Sequence, residues 1–557
     1  MKRAMFPVAP GLIFSLLLIA CAKPAPSPTP TTPTATTATP AATPKASPTP
    51  TAAPTSAPQY GGILKINVGE PPGRPIGWPL ESVGAGLWLI QSAFDTLVRM
   101  DYRGNIQPLL ATSWDIPPDG KSVTFRLRKG VKFHDGTDFN AEITKWYFEK
   151  VQASKHSATQ TWTTIDVIDD YTLRINFSRW ENVTMMRLAG TVVFIPSRTS
   201  YEKMGLDWTR LNMVGTGAFK QVSYQPSVQA TLARFDGYWQ KNKPFVDELR
   251  YVFIPDTTTA ALSFAAGEVQ ALSMGDAEVF IRDNLDKAGK KYLTAGAPEG
   301  LAGPLTLWPD TGNPESPFAN QKVREAVEYA IDREAIAKGL GRGEQQAAYQ
   351  VAPAKSWAYN PGLEARYRRY DPKKAKELLT AAGHPNGFKT KIITSSSAIR
   401  DQMVPVTTYL KEIGIDAPVE FVTAAAYTQL HTGGWRNSLL AAVLNQSTEP
   451  FVGTLQVSYF TPGQWYTSVK KSEKFMELYA AVLTAMDLDK QKAASKEMNT
   501  LIFDEAMYIP LTRTERGKLS GPLYVEGIHD PGFNYREVPN FWQSENIWME
   551  KKAWLNK

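Results

Sequence analysis

The stretch from residue 108 to residue 150 constrains the fold of this chain more than any other part of the sequence. Apolar and polar side chains alternate through residues 123–127 (VTFRL), which predicts a strand with one buried face and one wet face. The turn-forming sequence PPDG at 117–120 comes just before it. Asn140 stands where a helix N-cap belongs, and the apolar residues after it recur at helical spacing. The segment therefore predicts a turn, a strand, a polar loop and a capped helix, in that order.

The sequence LLATSW, followed by TFRLRKGVKFHDGT and the capped helix, resembles the signature of the extracytoplasmic solute-binding proteins of ABC importers. The branch that it resembles is the large one with oligopeptide-, dipeptide- and nickel-binding members. Two further blocks agree with it, MVGTGAFK at 213–220 and QKVREAVEYAIDREAI at 321–336. The resemblance covers nearly everything after Tyr60.

Several local structures are predicted from the residues themselves. Leu87 to Val98 is expected to form a helix, and the glycines at 215 and 217 are expected to permit positive φ. The basic run at 366–369 (RYRR) is expected to be a solvated surface rather than an anion site. Helices are predicted to begin after three N-cap residues, Asn320, Asp332 and Asp371.

The N-terminus has the pattern of a secreted lipoprotein. Two basic residues precede an apolar run of ten, GLIFSLLLIA at 11–20, which suits a secretory signal and is too short to span a bilayer. The run ends in LIAC, which resembles a bacterial lipobox, so residues 1–20 are expected to be removed and Cys21 to carry the lipid. The alternative is a chance cysteine in an ordinary signal peptide. Because Cys21 is the only cysteine, an internal disulfide is excluded.

Residues 21–59 are expected to form a disordered tether behind the lipidated cysteine. From residue 22 to residue 58 the chain is almost wholly Pro, Thr, Ala and Ser, which leaves too little apolar surface to order it. As extended polyproline II, the tether could hold a domain up to roughly 100 Å from a membrane. The formal net charge is +7, and four of the positive charges precede residue 60, so the rest of the chain carries only +3. This small net charge does not indicate nucleic-acid binding.

Alternating strands and helices indicate an α/β fold. The resemblance implies two lobes in a clamshell, the class II periplasmic-binding-protein fold. Lobe one is expected at 60–305 and 512–557, with an extra subdomain at about 100–212, and lobe two at 306–511. The protein is expected to be a monomer, outside the cytoplasm, anchored by lipid to the outer face of the cell membrane or in the periplasm. Its partners are expected to be an ABC permease and ATPase complex and a small solute, with no cofactor.

An enzyme and an adhesin are the alternatives to a binding protein. The motifs HExxH, GxSxG and GxxxxGK[ST] are absent from the sequence, and no two of the five histidines have metal-ligand spacing. His134 beside Asp135 suggests acid–base chemistry, but the turn of the resembled family accounts for the pair. The sequence therefore predicts no catalytic residue and no metal site. A secreted, surface-anchored hydrolase or adhesin remains the alternative.

The resemblance implies ligand contacts in four loops and strand ends. The expected residues in those segments are Trp78, Ser82, Val83, Gly84, Trp308, Trp357, Val443, Asn445 and Gln446. Trp465 is a further aromatic candidate in the expected lobe two. For any single tryptophan among them, a role in the core is the competing interpretation.

The carried solute is predicted from one departure from the family pattern. Peptide-binding relatives hold the α-ammonium of the ligand with an aspartate in a Trp-x-x-Asp segment shortly before a Glu-Pro or Asp-Pro pair. In this chain Glu449 and Pro450 match that pair, but Gln446 stands at the aspartate position and Val443 at the tryptophan position. An unpaired buried ammonium is costly, whereas an amide suits hydroxyl or amide groups. We therefore expect a neutral polar ligand such as an oligosaccharide, or a peptide whose charge is met by another residue such as Glu81 or Glu449.

Overall fold

The computed structural model describes the chain over most of its length after residue 56. The described residues are 57–69, 71–72, 75–82, 86–100, 105–272, 285–287, 289–290, 292–294, 303–341, 343, 345–395, 397–444, 467–514, 523–525, 528–529 and 544–553. Ser56 to Lys557 form one compact unit. The predicted signal peptide, Cys21 and nearly all of the tether lie outside the described residues. Within the described ranges, no helix is both long and apolar enough to cross a membrane.

Twelve helices are defined in the described part of the chain. They are α1 (Gly86–Ala93), α2 (Ala141–Ala153), α3 (Thr184–Arg187), α4 (Arg198–Leu211), α5 (Thr257–Ala265), α6 (Gln321–Ala330), α7 (Arg333–Leu340), α8 (Pro372–Ala381), α9 (Ser397–Glu412), α10 (Ala424–Gly433), α11 (Glu473–Thr484) and α12 (Leu488–Asp504).

The strands defined in the same ranges are short. They are β1 (Ile63–Asn67), β2 (Val98–Met100), β3 (Ile106–Pro108), β4 (Ala111–Asp115), β5 (Ser122–Leu127), β6 (Trp162–Asp169), β7 (Thr172–Phe177), β8 (Phe219–Gln225), β9 (Gln229–Arg234), β10 (Glu248–Val252), β11 (Ala271–Leu272), β12 (Tyr292–Thr294), β13 (Leu305–Pro309), β14 (Gln345–Ala347), β15 (Phe388–Lys389), β16 (Ile392–Thr394), β17 (Ile415–Asp416), β18 (Val419–Phe421), β19 (Leu439–Val443), β20 (Ile509–Thr514), β21 (Leu523–Val525), β22 (Ile528–His529) and β23 (Trp548–Met549).

Three sheets organise the fold. A seven-stranded mixed sheet has the order β12-β21-β11-β1-β10-β9-β8, in which β1 runs parallel to β10 and β11. A six-stranded mixed sheet has the order β14-β20-β13-β19-β16-β18. A four-stranded antiparallel sheet, β4-β5-β7-β6, lies with α2 over an aromatic core. The α/β prediction is confirmed, and both large sheets combine parallel and antiparallel pairs, as is common among large sheets.

The chain passes between the two large sheets twice. It leaves the seven-stranded sheet after β12, builds the six-stranded sheet from β13 to β20, and returns at β21. The predicted domain boundaries at 305/306 and 511/512 fall inside β13 and β20, and both strands belong to the six-stranded sheet. The exact limits of the two lobes stay a prediction.

The signature segment folds as the sequence predicts. In β5 the side chains of Val123, Phe125 and Leu127 are buried, while the residues between them face outward. The Asn140 side chain accepts a hydrogen bond from the backbone N–H of Ile143 at 3.0 Å, which caps α2. The caps predicted for three later helices form in the same way, at Asn320, Asp332 and Asp371.

Two local predictions are wrong. The expected helix over 87–98 ends at Ala93, and Val98 already belongs to β2, because the Asp95 carbonyl accepts from the N–H of Ile195 instead of continuing the helix. The second is the expected positive φ at Gly215 and Gly217, which is not observed. A Cβ at Gly215 would lie 2.2 Å from the Ala93 carbonyl oxygen, and one at Gly217 would lie 2.5 Å from the Ala93 carbonyl carbon. These glycines allow a close backbone approach rather than an unusual backbone angle.

The prediction that the basic run at 366–369 is a solvated surface is wrong for one of its arginines. Arg368 is buried, and its guanidinium contacts the Glu328 carboxylate at 2.8 Å and the Glu325 carboxylate at 3.2 Å. Arg366 and Arg369 are exposed and pair with acidic residues at the surface. The sequence did not show which arginine turns inward, because its buried partner lies forty residues earlier in α6.

Candidate functional site

The predicted site residues Trp78 and Ser82 lie together in the turn at 75–82 and are both buried. The Trp78 ring stacks on Tyr201 at 5.1 Å between ring centroids, and Tyr147 meets it edge-on at 5.4 Å. The Ser82 hydroxyl donates to the backbone carbonyl of Pro75. These contacts fix the turn against the core of the four-stranded sheet. Ligand contact at Trp78 and Ser82 stays a prediction.

Glu81, the residue offered as an alternative anion for a peptide amino terminus, is already paired. Its two carboxylate oxygens accept from Nε and Nη2 of Arg210, at 2.9 and 2.8 Å. The pairing raises the pKa of Arg210, chiefly through this hydrogen bond. A ligand ammonium at Glu81 would therefore have to compete with a guanidinium held in bidentate geometry.

Trp308 and Val443 lie on neighbouring strands of the six-stranded sheet but on opposite faces of it. In the pairing of β13 with β19, Leu305 is opposite Val443 and Trp308 is opposite Leu440. Trp308 is fully buried, 4.7 Å from Tyr508 between ring centroids, and its carbonyl accepts from the Trp435 indole. Val443 packs with the cluster on the other face. The two side chains therefore lie on opposite faces of the sheet. Ligand contact at Trp308 and at Val443 stays a prediction.

Trp357 lines an open groove. It is half-buried, and the groove of about 540 Å³ is also lined by Asn360, Lys492, Lys496 and Thr500. The Lys492 ammonium lies 5.5 Å from the centroid of the Trp357 ring. An aromatic face beside two ammonium groups suits a polar ligand that offers one apolar surface and one anionic or hydroxyl group.

The loop that carries Trp357 is held by a buried amide network. The Gln350 Oε1 atom accepts from the N–H of Asn360 at 3.0 Å and from Nδ2 of Asn499 at 2.6 Å. Its Nε2 atom donates to the hydroxyl of Tyr367 at 2.6 Å. Asn499 is fully buried in α12 and also accepts from the N–H of Ala352 at 3.2 Å. Each of the two amides both donates and accepts, so the network holds the loop in place without a ligand.

The remaining predicted ligand residues are Val83, Gly84, Asn445, Gln446 and Trp465, and they lie outside the described residues. Their contact with a ligand stays a prediction, as does the role of Cys21.

The adjacent His134 and Asp135 both make structural contacts. Burial lowers the pKa of His134 to about 4, so its ring is neutral at physiological pH. The Nε2 atom lies 2.9 Å from the Gly217 carbonyl oxygen, which assigns the proton to Nε2, and Nδ1 accepts from the N–H of Gly215 at 3.4 Å. Asp135 accepts from the hydroxyls of Ser197 and Ser200 at the start of α4. The pair thus joins the turn at 215–217 to the four-stranded sheet, and no cluster suited to a metal occurs in the described ranges.

The sequence did not single out Lys492 and Lys496. Their spacing of four residues, which can be read from the sequence, places them on one face of a helix. That this face meets Trp357 depends on packing across more than one hundred residues, which the spacing does not show.

Comparisons with known proteins agree with this architecture. The profile described as "Bacterial extracellular solute-binding proteins, family 5 Middle" matches residues 105–465. The glutathione-binding protein GsiB of Salmonella choleraesuis is 26% identical over 447 residues, covering 76% of this chain and 83% of that protein.

Two solved structures extend the match to the fold. The periplasmic binding protein DppA of Helicobacter pylori, in complex with the peptide STSA, is 26% identical, has a TM-score of 0.74, and covers 88% of this chain and 99% of that one. NikA of Brucella suis, in complex with Fe(III)-EDTA, also has a TM-score of 0.74, at 21% identity over 88% of this chain and 100% of that one. The likeness to NikA shows the fold alone.

The fold defines a two-lobed periplasmic binding protein with an extra subdomain, the class of protein that captures solutes outside the cytoplasm. More narrowly, the chain belongs to the bacterial extracellular solute-binding proteins of family 5, the substrate-binding components of ABC importers. This family is not a family of enzymes.

Proposed function

We propose that this chain captures a polar solute between its two lobes and delivers it, chemically unchanged, to an ABC permease and its ATPase. Lobe one contains the seven-stranded sheet and carries the four-stranded sheet as its subdomain, and lobe two contains the six-stranded sheet. The observation that carries the proposal is the double crossing of the chain. Only residues 295–304 and 515–522 separate the strands of one sheet from those of the other. The strand ends that flank the two crossings are neighbours, since Thr294 pairs with Leu523 and Leu305 pairs with Thr512. Two crossings whose flanking strands lie side by side permit hinge closure around a ligand.

The solute that we favour is one without a free α-ammonium at its binding end. Gln446 replaces the aspartate of the peptide-binding pattern, and Glu81 holds Arg210. Since a buried ammonium needs an anionic partner, a neutral oligosaccharide or a peptide with a blocked amino terminus fits better than an ordinary free peptide. A peptide neutralised by Glu449 is the second candidate.

The protein acts, in this proposal, as a lipid-anchored monomer. The anchor is Cys21, and the Pro/Thr-rich tether lets the lobes reach the permease while they remain tied to the membrane.

A matched ligand panel tests the proposed solute class. Thermal shift and calorimetry would compare Ser-Thr-Ser-Ala, its N-acetylated form, reduced glutathione, maltotriose and Fe(III)-EDTA. A ligand at 100 times its Kd should stabilise the protein by about 2.7 kcal/mol. We expect the acetylated peptide or the oligosaccharide to bind at least as tightly as the free peptide. Micromolar binding of the free peptide that acetylation abolishes would show that the ammonium is recognised and that the solute class is wrong.

A further inference from the structure

A short segment of the subdomain ends against a helix of lobe two, three hundred residues further along the chain. The backbone N–H of Asn182 donates to the carbonyl of Leu483 at 2.7 Å. The side-chain Nδ2 of the same asparagine donates to the carbonyl of Val482 at 2.6 Å. Its Oδ1 atom accepts from the indole of Trp180 at 3.1 Å, which fixes the orientation of the amide. Asn182 therefore donates twice across the gap between the two bodies.

The accepting carbonyls are those that a helix cannot satisfy by itself. α11 ends at Thr484, so Val482 and Leu483 belong to its last turn. Carbonyls in the last turn of an α-helix have no partner within the helix and carry the negative end of its dipole. Here the donors come from the subdomain, so the end of α11 is capped by a residue of the other body.

Apolar packing accompanies the two hydrogen bonds. Val183 is fully buried in the same cluster as Tyr479 and Val482 of α11. The neighbouring Glu181 is also fully buried, and the guanidinium of Arg187 holds its carboxylate inside the subdomain. The ion pair between Glu181 and Arg187 therefore holds in place, within the subdomain, the segment that contacts lobe two.

The subdomain is attached to lobe one, which makes this contact one between lobes. Arg210 of α4 pairs with Glu81, and the His134 ring donates to Gly217 beside β8. These contacts tie the subdomain to the seven-stranded sheet, so any hinge motion of lobe two would break the bonds of Asn182 rather than those of Arg210 or His134.

We propose that Trp180–Val183 is a closure latch: it caps α11 when the lobes are together and releases it when they part. The latch increases the population of closed molecules without contacting the ligand. This proposal rests on the proposed function only in assuming that the lobes open. In the open state water hydrates the two carbonyls. Each bond therefore contributes only its net value, and loss of the side-chain bond should shift the ratio of open to closed molecules about fivefold.

The test measures lobe separation in the full-length chain without ligand. In a Cys21→Ser background, Asp138→Cys on the subdomain and Glu477→Cys on α11 provide exposed sites for spin labels. Electron–electron double resonance then gives the distance distribution between the labels. We expect Asn182→Ala to raise the open-to-closed ratio about fivefold. Asn182→Asp should raise it further, because a carboxylate would face two carbonyls and the negative helix end.

A residue of the same type in the same subdomain serves as the control. The Nδ2 of Asn176 bonds to Thr164 and Asp166 on a neighbouring strand, so Asn176→Ala removes hydrogen bonds without reaching lobe two. Its distance distribution should match that of the wild type. Distributions that are identical in all four proteins, with Asn182→Ala lowering only the melting temperature, would show a static contact and overturn the latch. Failure of the ligand panel leaves this measurement unaffected, so the two proposals fail separately.

Discussion

Removing the buried carboxylate of Glu328 should cost far more stability than removing an exposed carboxylate of the same lobe. Glu328 is 3% exposed, accepts from Arg368 at 2.8 Å and lies 3.9 Å from the guanidinium of Arg333. Arg333 is 1% exposed, and its other N–H groups bond to the carbonyls of Pro510, Glu328 and Arg368. The ion cluster thereby joins α6 and α7 to β20 and to the loop at 366–369.

The expected magnitude follows from burial. Glu328→Gln keeps the shape of the side chain but takes the nearest anion away from the buried Arg333 guanidinium and leaves Arg368 only the partly buried Glu325 carboxylate, 3.2 Å away. Breaking a buried pair in this way costs about 3–5 kcal/mol. Glu334→Gln is the matched control, because the Glu334 side chain is 65% exposed and lies 3.8 Å from Arg369. An exposed pair contributes about 0–1 kcal/mol.

Urea denaturation followed by circular dichroism would measure both variants, with the midpoint compared at a constant slope. A double-mutant cycle with Arg368→Gln would separate the pair energy from the packing energy, since the double variant should cost less than the sum of the two single ones. If Glu328→Gln costs no more than Glu334→Gln, the buried charge is compensated by some other group and the reasoning is wrong.

Three further predictions concern the turn at 215–217, the pH dependence of lobe one and the membrane anchor. Gly217→Ala places a methyl group 2.5 Å from the backbone of α1 and should cost about 1–3 kcal/mol in a thermal melt, whereas Gly339→Ala, in open space within α7, should be neutral or stabilising by up to about 1 kcal/mol. Burial lowers the pKa of His134 to about 4, so His134 contributes about 3 kcal/mol of stability that is lost as the pH falls from 6.5 to 4. Burial raises the pKa of Asp95 to about 6, so Asp95 contributes about 3 kcal/mol of stability that is lost as the pH rises from 3.8 to 6. Between about pH 4 and pH 6, the stability of His134→Gln relative to wild type should therefore fall as the pH rises, and that of Asp95→Asn should rise. If the stability of both variants relative to wild type changes equally with pH, the assignment is contradicted. Cys21→Ser should release the protein from the membrane fraction, and wild type that takes up no labelled fatty acid would contradict lipidation.

Features that depend on neighbouring residues could be predicted from the sequence. Asn140, Asn320 and Asp371 cap helices, and in each cap the accepting side chain and the donating N–H lie within three residues of each other. A short stretch of sequence therefore includes both partners of the hydrogen bond. The alternation that buries Phe125 is likewise local. These local features also carry the resemblance to the family.

Features that depend on distant residues could not be predicted. Glu328 decides that Arg368, and not Arg369, turns inward. The packing of the rest of lobe two decides that Trp357, and not Trp308, lines a groove. The contact that Asn182 makes depends on a helix end three hundred residues further along the chain. For the binding site, the sequence predicts which loops are involved but not which side chains converge.

Small-angle X-ray scattering, with and without the tightest ligand of the panel, tests the central claim most directly. Closure of the lobes on a solute should lower the radius of gyration, and the solute recovered from the complex should be chemically unchanged. A radius of gyration that stays constant at saturating ligand, or a solute recovered in altered form, would contradict the account of this chain as a closing binding protein.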